Sequence, residues 1–343
     1  MADSSAERGV RGSGRARRGS NGRRSRRTRP DSPLPDRDGI PAVRLHMVRE
    51  APWRTVAEFL TDKTHAAAEV AQRLDAGGVV LTDGTVVTRD TAYVPGGWVF
   101  LYRDALPETT VPGELTVLYR DENIVVVDKP HFMATTPRGS HVTQTVIVQL
   151  RRQLDLPELS AAHRLDRLTA GVLLLTVRRE VRAAYQELFA RRETRKVYFA
   201  VAPIRRDLEL PTEVRSRIVK ERGSLQVREE DGEINAITRV ELHCELGSEL
   251  GAGIGAELGV YRLTPSTGRT HQLRTHMAGL GIPIMGDPLY PVLEEQCPDD
   301  FTTPLQLLAH TLEFTDPLTG EERIFTSRRA LAAVSDSLAR LEP

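Results

Sequence analysis

The sequence predicts an α+β fold, with a mixed, mostly antiparallel central sheet, flanking helices and loops, and a small N-terminal subdomain. The unbroken apolar run "GVLLLTV" is typical of a strand that is buried on both faces. The segment "VVLTDGTVV" places Asp83-Gly84 between two apolar runs, which is a strong hairpin signal. Elsewhere strand and helix patterns mix without steady alternation, and this favours α+β over a regular parallel α/β arrangement.

Composition sets the class of protein. The 343 residues suffice for about two domains, and 40% hydrophobic residues suffice for a core. No apolar run reaches the roughly 20 residues of a membrane span, and no secretory signal with a hydrophobic centre is present. The two cysteines, Cys244 and Cys297, have neither metal-ligand nor disulfide-framework spacing. We therefore expect a cytoplasmic protein with no membrane partner.

The net charge of zero conceals a basic N-terminus. Residues 1–30 hold ten arginines against Asp3 and Glu7, a net charge of +8, so the remainder carries −8. Residues 1–42 have too few apolar side chains to offset the entropy of ordering, which predicts a disordered basic tail. Such arms are typical of nucleic-acid contacts. A solvated tail without a specific role and an organelle transit peptide are the alternatives.

Residues 43–112 form a predicted small α/β subdomain. The segment "TVAEFLTDKTHAAAEVAQRLDAGG" predicts two helices that end at Gly77-Gly78, just before the hairpin. This unit resembles the small RNA-binding fold of some small-subunit ribosomal proteins, which is also attached to many RNA-modifying enzymes. It is therefore a candidate RNA-binding unit, with a plain structural subdomain as the alternative.

Residues 113–343 form a second predicted domain with a different pattern. Pro130 closes a strand, turn and strand in "LTVLYRDENIVVVDKP", and a Gly-rich loop at 247–258 joins two later strands. The other predicted elements are a helix in "TVIVQLRRQL", a strand in "GVLLLTV", an amphipathic helix in "VRAAYQELFARRE", strands in "RKVYFAVA", "AITRVELHCEL" and "GVYRLTP", and a short helix in "HQLRTHMAGLG".

The segment "HRLDRLTAGVLLLT" contains one carboxylate, Asp166, between Arg164 and Arg167, directly before the buried strand. A surface salt bridge would stabilise the protein by only about 0–1 kcal/mol. The alternative is a catalytic acid that works beside a negatively charged substrate.

A second dense segment, "TGRTHQLRTHMAGLGIPIMGDPLY", concentrates Arg269, His271, Arg274 and His276 around one short helix. The two histidines are five residues apart, rather than the four that align ligands on a helix face, so no metal site is predicted. A basic face is one alternative. A Gly-flanked helix start that holds phosphates is the other.

These motifs, with "LYRDENIVVVDKP" before them and "RKVYFA" between them, resemble the RluA-like family of pseudouridine synthases. The resemblance covers about residues 114–330 and consists of four motifs in the family's order. It implies a pseudouridine synthase catalytic domain at residues 113–343. The implied activity is an intramolecular transfer within RNA, an isomerisation that needs no cofactor and no metal.

The resemblance also implies a role for individual residues. Asp166 matches the family's essential aspartate, Tyr198 the tyrosine that packs on the target uracil, and Arg274 the arginine that pairs with the aspartate. Arg164 matches the arginine that takes the place of the flipped-out base. Further positions expected to contact uracil or RNA are Val172 and Leu173 in the uracil pocket, Lys129 in "DKP", and Arg269 and His271 at the helix start.

The chemistry of the reaction agrees with this set of residues. A uridine becomes pseudouridine when its glycosidic bond breaks, the base turns, and the base rejoins the sugar through carbon 5. One ionised acid suffices, as nucleophile or as base at the sugar, and an opposite charge within about 4–6 Å can lower the pKa of an Asp by about 1–3 units. The base must leave its stack and be held on an aromatic side chain.

The sequence therefore predicts a monomeric enzyme that isomerises specific uridines in rRNA or tRNA. One alternative is a catalytically inactive RNA-binding or ribosome-assembly protein, against which the intact Asp166, Tyr198 and Arg274 argue. Another is a hydrolase or lyase that acts on a free nucleoside. The basic tail favours polymeric RNA over that substrate.

Overall fold

The computed structural model describes residues 30–102, 108–139, 141–246, 257–295, 297 and 299–334. They divide into two compact units, a smaller one with residues 30–33 and 45–99 and a larger one with residues 34–44 and 100–334. The predicted boundary between residues 112 and 113 thus lies further along the chain than the boundary in the structure. No helix in the described ranges has the length and apolar character to cross a membrane.

The predicted helices are all present. They are α1 Val56–Thr64, α2 Ala67–Asp75, α3 Val146–Leu154, α4 Arg182–Arg191 and α5 Gln272–Gly279. The strands are β1 Val43–His46, β2 Val79–Leu81, β3 Trp98–Leu101, β4 Thr116–Arg120, β5 Ile124–Lys129, β6 Ser160–Ala161, β7 Ala170–Thr176, β8 Thr194–Pro203, β9 Thr212–Val219, β10 Arg228–Glu230, β11 Ala236–Glu245, β12 Leu258–Pro265, β13 Leu307–Thr315 and β14 Glu322–Thr326.

In the N-terminal region, helix α1 begins with a capping box. The Thr55 hydroxyl accepts a hydrogen bond from the Glu58 N–H, and the Glu58 carboxylate accepts one from the Thr55 N–H. The predicted hairpin after α2 is shorter than its pattern indicates. After the turn at Asp83-Gly84, the chain pairs back with β2 through a single bridge, between Val80 and Val86. A three-stranded sheet of order β1-β3-β2 completes this region.

The larger unit is built on a sheet with the order β10-β9-β11-β12-β8-β13-β7-β5-β4, to which β14 and β6 add at β13 and β7. Within the described strands of this sheet, β7 and β13 pair in parallel and the other pairs are antiparallel. This confirms the predicted α+β class. Gly171 makes the parallel pairing possible, because a Cβ at this position would lie 2.1 Å from the Ala309 carbonyl oxygen.

Residues 34–42 correct the predicted extent of the tail. The Arg151 guanidinium of α3 pairs with Asp36 at 2.6 Å, and the Arg152 Nε donates to the Asp38 carbonyl at 2.6 Å. The Tyr102 hydroxyl donates to the Pro35 carbonyl at 2.6 Å. This segment has few apolar groups, but these polar contacts attach it to the larger unit. The predicted disorder of residues 1–29 concerns positions outside the described ranges, as does most of the predicted loop at 247–258.

Candidate active site

A cleft of about 1090 Å³ in the larger unit contains Asp166. Its lining residues come from the segments around Thr135, Asp166, Lys196, Arg222 and Gly268, with Asn235 and Leu289. Among these described lining residues, Asp166 and Glu221 are the carboxylates, against eight cationic side chains: Arg138, Arg164, Arg167, Arg192, Lys196, Lys220, Arg222 and Arg269. The cleft is therefore complementary to a polyanion.

Asp166 lies in the turn between β6 and β7, and neighbouring segments fix that turn. The Thr135 hydroxyl donates to the Leu165 carbonyl at 2.9 Å and accepts from the Leu165 N–H at 3.2 Å. The Lys129 ammonium donates to the Arg167 carbonyl at 3.2 Å. The turn therefore holds the carboxylate while its side chain stays 31% exposed.

Arg274 lies in α5, and its guanidinium is almost fully buried. Its Nη1 is 3.8 Å from the Asp166 Oδ2, which confirms the expected proximity of the two charges. Its shorter hydrogen bonds go to Asp287, from Nε at 2.7 Å and from Nη2 at 2.5 Å. Asp287 therefore orients the guanidinium, and the remaining nitrogen faces the candidate catalytic carboxylate.

Tyr198 lies in the middle of β8, opposite Leu263 of β12 and Ala309 of β13. Its side chain lines both the cleft and an adjoining pocket of about 110 Å³ that also contains Asp166. Burial, and then the charge of Asp166, raise the pKa of the Tyr198 phenol, so the ring stays neutral at physiological pH. A neutral aromatic ring beside a carboxylate is suited to stack against a base.

The predicted RNA-contacting residues Arg164, Arg269 and His271 also line both cavities. Arg164 and Arg269 are exposed. His271 differs, because burial lowers its pKa to about 4 and its ring bonds the Tyr290 hydroxyl at 3.0 Å. It is therefore a neutral residue and adds no positive charge at the start of α5.

Three predicted contacts are corrected by the structure. Val172 and Leu173 are buried in two different core clusters, because successive side chains of β7 point to opposite faces of a sheet that is covered on both sides. Neither residue lines the cleft or its adjoining pocket. Apolar residues that do line the small pocket include Leu165, Leu273 and Leu307.

Lys129 is the third correction. Its side chain is fully buried, and its Nζ donates to the carbonyls of Pro130, Met133 and Arg167 at 3.0, 2.8 and 3.2 Å. Burial lowers the pKa of this ammonium to about 7. Lys129 therefore supports the Asp166 turn from inside the protein and is not a surface contact for RNA.

Sequence reasoning missed Asp287 and Lys196. Asp287 is in the quoted segment "GDPLY", and the signal was available, because a buried arginine needs a carboxylate partner. Lys196 comes two residues before Tyr198 on the same strand face, so it projects into the same cavity. Among the residues that the structure describes, no group of three or more His, Cys, Asp or Glu side chains could hold a metal ion.

Comparison with known proteins identifies relatives of this chain. The family model for RNA pseudouridylate synthase matches residues 123–279. The chain is 32% identical to tRNA pseudouridine synthase C of Vibrio vulnificus, over 61% of this chain and 88% of that protein. It is 30% identical to ribosomal large subunit pseudouridine synthase D of Xanthomonas campestris pv. campestris, over 80% of this chain and 83% of that protein.

Other matches are less complete. The human pseudouridylate synthase RPUSD2 is 32% identical over 66% of this chain, but the match spans only 39% of the human protein. A solved structure of human RNA pseudouridylate synthase domain containing 1 covers 64% of this chain and 86% of that chain, at 23% identity and a TM-score of 0.46. The comparison therefore rests on the two bacterial sequence relatives.

Proposed function

Because the chain belongs to the RluA-like family of RNA pseudouridine synthases, we propose that Asp166 is the catalytic carboxylate with which it isomerises uridine. The observation that supports this role is the meeting of Asp166, Tyr198 and Arg274 at one pocket in a cleft with an excess of positive charge.

In the reaction, the bond between N1 of the base and C1′ of the sugar breaks, the base turns, and C5 bonds to C1′. The C5 proton leaves and N1 gains a proton, so atoms and electrons balance. Asp166 acts at the sugar, as a nucleophile at C1′ or as a base, and the fixed turn around it sets its direction of approach. Both routes use the carboxylate oxygens, and the Arg274 guanidinium lies 3.8 Å from one of them.

Tyr198 holds the base while the base is detached. A uracil taken out of its stack costs a few kcal/mol, and stacking on an aromatic ring offsets part of that cost. Leu165, Leu273 and Leu307 supply apolar contacts for the base on the wall of the same pocket. Arg164 is exposed and lines the pocket, and we assign it to the space that the uracil vacates.

We further propose that the substrate is rRNA or tRNA, since the relatives named above include enzymes of both kinds. A cytoplasmic monomer is part of the same proposal, and the two free thiols, Cys244 and Cys297, are consistent with a reducing compartment. The alternative of an inactive RNA-binding protein lacks support, because the acid, its cation and the aromatic ring all face one pocket.

Pseudouridine mapping tests this proposal and identifies the RNA. Total RNA from cells with and without the gene should differ at one or a few uridines in rRNA or tRNA, and reintroducing the gene should restore these positions. Identical maps in the two cell lines would contradict the proposed substrate class.

A further inference from the structure

Lys196 lies on the same face of β8 as Tyr198, because side chains two positions apart on a strand project to the same side. Both side chains line the cleft and the adjoining pocket that contain Asp166. The bond changes of the isomerisation use Asp166 and Tyr198 and make no demand on a lysine. The presence of a partly buried cation at this position therefore needs a separate explanation.

Lys196 has no carboxylate partner among the residues that the structure describes. Its Nζ donates one hydrogen bond, to the Thr267 carbonyl at 3.2 Å. Its main charged neighbour is another cation, Arg192, and within the described ranges no carboxylate forms an ion pair with it. Burial, and then Arg192, lower the pKa of the ammonium to about 8. An ammonium has three donors, so two remain for a ligand.

Arg274 provides an internal comparison, because it lines the same small pocket. Its positive charge is compensated by Asp287 at 2.5 Å and faces Asp166 at 3.8 Å. A partly buried charge without a partner is costly, and a protein that keeps one at a binding site leaves the partner to the ligand. The ligand of this cleft is RNA, whose charges are its phosphates.

Space next to the ammonium is also available. Gly268 is exposed, and the nearest atom to the position of a Cβ there would be the Lys196 Nζ, at 4.0 Å. The absence of a side chain at Gly268 leaves one side of the ammonium open to the cleft. Arg269 follows directly, and its guanidinium also lines the cavity.

From this geometry we propose that Lys196 binds a backbone phosphate of the RNA next to the target uridine, and so positions that nucleotide over Asp166 and Tyr198. The proposal rests on the proposed function, because it assigns the bound phosphate to the same uridine. The phosphate would supply the negative charge that the protein does not provide for the Lys196 ammonium.

Two consequences follow for binding. Loss of one phosphate contact should make the plot of log affinity against log salt shallower by roughly 0.7. A bound phosphate favours the protonated ammonium, so the affinity of the wild type should fall as pH rises through about 8. An arginine at this position would keep its charge and should remove that fall.

The test uses the full chain and a fluorescently labelled oligouridylate, with affinity measured over a salt series and at several pH values. The variants are Lys196→Met, Lys196→Arg and a matched control, Arg195→Met. Arg195 is the adjacent residue, it is exposed, and it pairs with Glu313 outside the cleft. We expect Lys196→Met to bind several-fold more weakly with the shallower slope, Lys196→Arg to keep the slope and lose the pH dependence, and Arg195→Met to behave as wild type.

Equal salt slopes for wild type and Lys196→Met, or an unchanged pH dependence in Lys196→Arg, would overturn the proposal, as would a failure of the wild type to bind the oligouridylate. The arginine variant keeps the test decisive if the methionine variant does not fold. All readouts are binding measurements. Failure of the proposed function would instead appear as an absence of pseudouridine formation by the wild type.

Discussion

The floor and the rim of the cleft are built in opposite ways. The floor, defined as Asp166, Tyr198, Arg274 and Asp287, combines short hydrogen bonds, buried groups and a compensated cation. The rim, defined as Arg164, Lys220, Arg222 and Arg269, consists of exposed cations that no described carboxylate pairs with. This contrast separates two tasks. In the proposed function, the floor is fixed before RNA arrives and performs the chemistry, and the rim supplies the charge that holds RNA.

The largest loss of rate within this comparison is expected for Arg274→Met. Removing a preorganised charge beside a reacting group typically costs about a hundredfold or more in rate. Single-turnover rates of wild type and variant on an RNA that contains a mapped target uridine check this. A near-normal rate would show that Arg274 serves only the fold or the phosphates.

Asp287→Ala should show how much the orientation of the Arg274 guanidinium contributes, separately from its charge. It leaves the Arg274 guanidinium buried without its main partner, which typically destabilises a protein by about 3–5 kcal/mol. We expect a lower free energy of unfolding and a smaller loss of rate than for Arg274→Met, because the charge beside Asp166 is still present. Denaturant unfolding and single-turnover rates give the two quantities. A variant with wild-type stability and rate would remove Asp287 from the account.

Buried neutral histidines should make the stability of the structured part fall in acid. Burial lowers the pKa of His276 and of His131 to about 4, against an ordinary value of 6.5. The unfolded chain therefore takes up protons between about pH 6.5 and 4 that the folded chain does not, so stability is complete above 6.5 and decreases as pH falls. Melting temperatures at several pH values should show this decrease. His276→Asn should make it shallower, whereas the same change at the exposed His65 should not.

The smallest effect on chemistry is expected for removal of the basic tail. The cut should follow residue 29, because residues 34–42 contact α3 of the larger unit. The removed segment carries a net charge of +8. We expect an unchanged rate at saturating RNA, weaker binding, and a shallower salt slope, by roughly 0.7–0.9 for each lost phosphate contact. Equal slopes for the full chain and the shortened chain would mean that the tail does not contact RNA.

How much the sequence predicts depends on whether a residue's role is local. Asp166, Tyr198 and Arg274 each belong to a motif beside a recognisable strand or helix, and the structure brings all three to one pocket. The helices were predicted for the same reason, since caps and apolar periodicity lie within a few residues of each other.

The errors concern properties that distant parts of the chain create. An unbroken apolar run does not show which helices or strands cover each face of a buried strand. The prediction that Val172 and Leu173 line the uracil pocket is therefore wrong, because each is buried in a core cluster instead. Three carbonyls surround the Lys129 ammonium, and one of them, Arg167, is 38 residues away. Strands β9 and β14 were missed, because their alternate residues are exposed and their sequences are polar.

Asp166→Asn tests the separation of floor and rim most directly. The change keeps the shape of the side chain and removes its charge and its nucleophilic oxygen. On an RNA that contains a mapped target uridine, we expect no detectable isomerisation and an affinity close to wild type, because phosphate contacts dominate affinity. Measurable turnover by a variant verified to be free of deamidation would contradict the central claim, and so would a loss of RNA binding as large as the loss of rate.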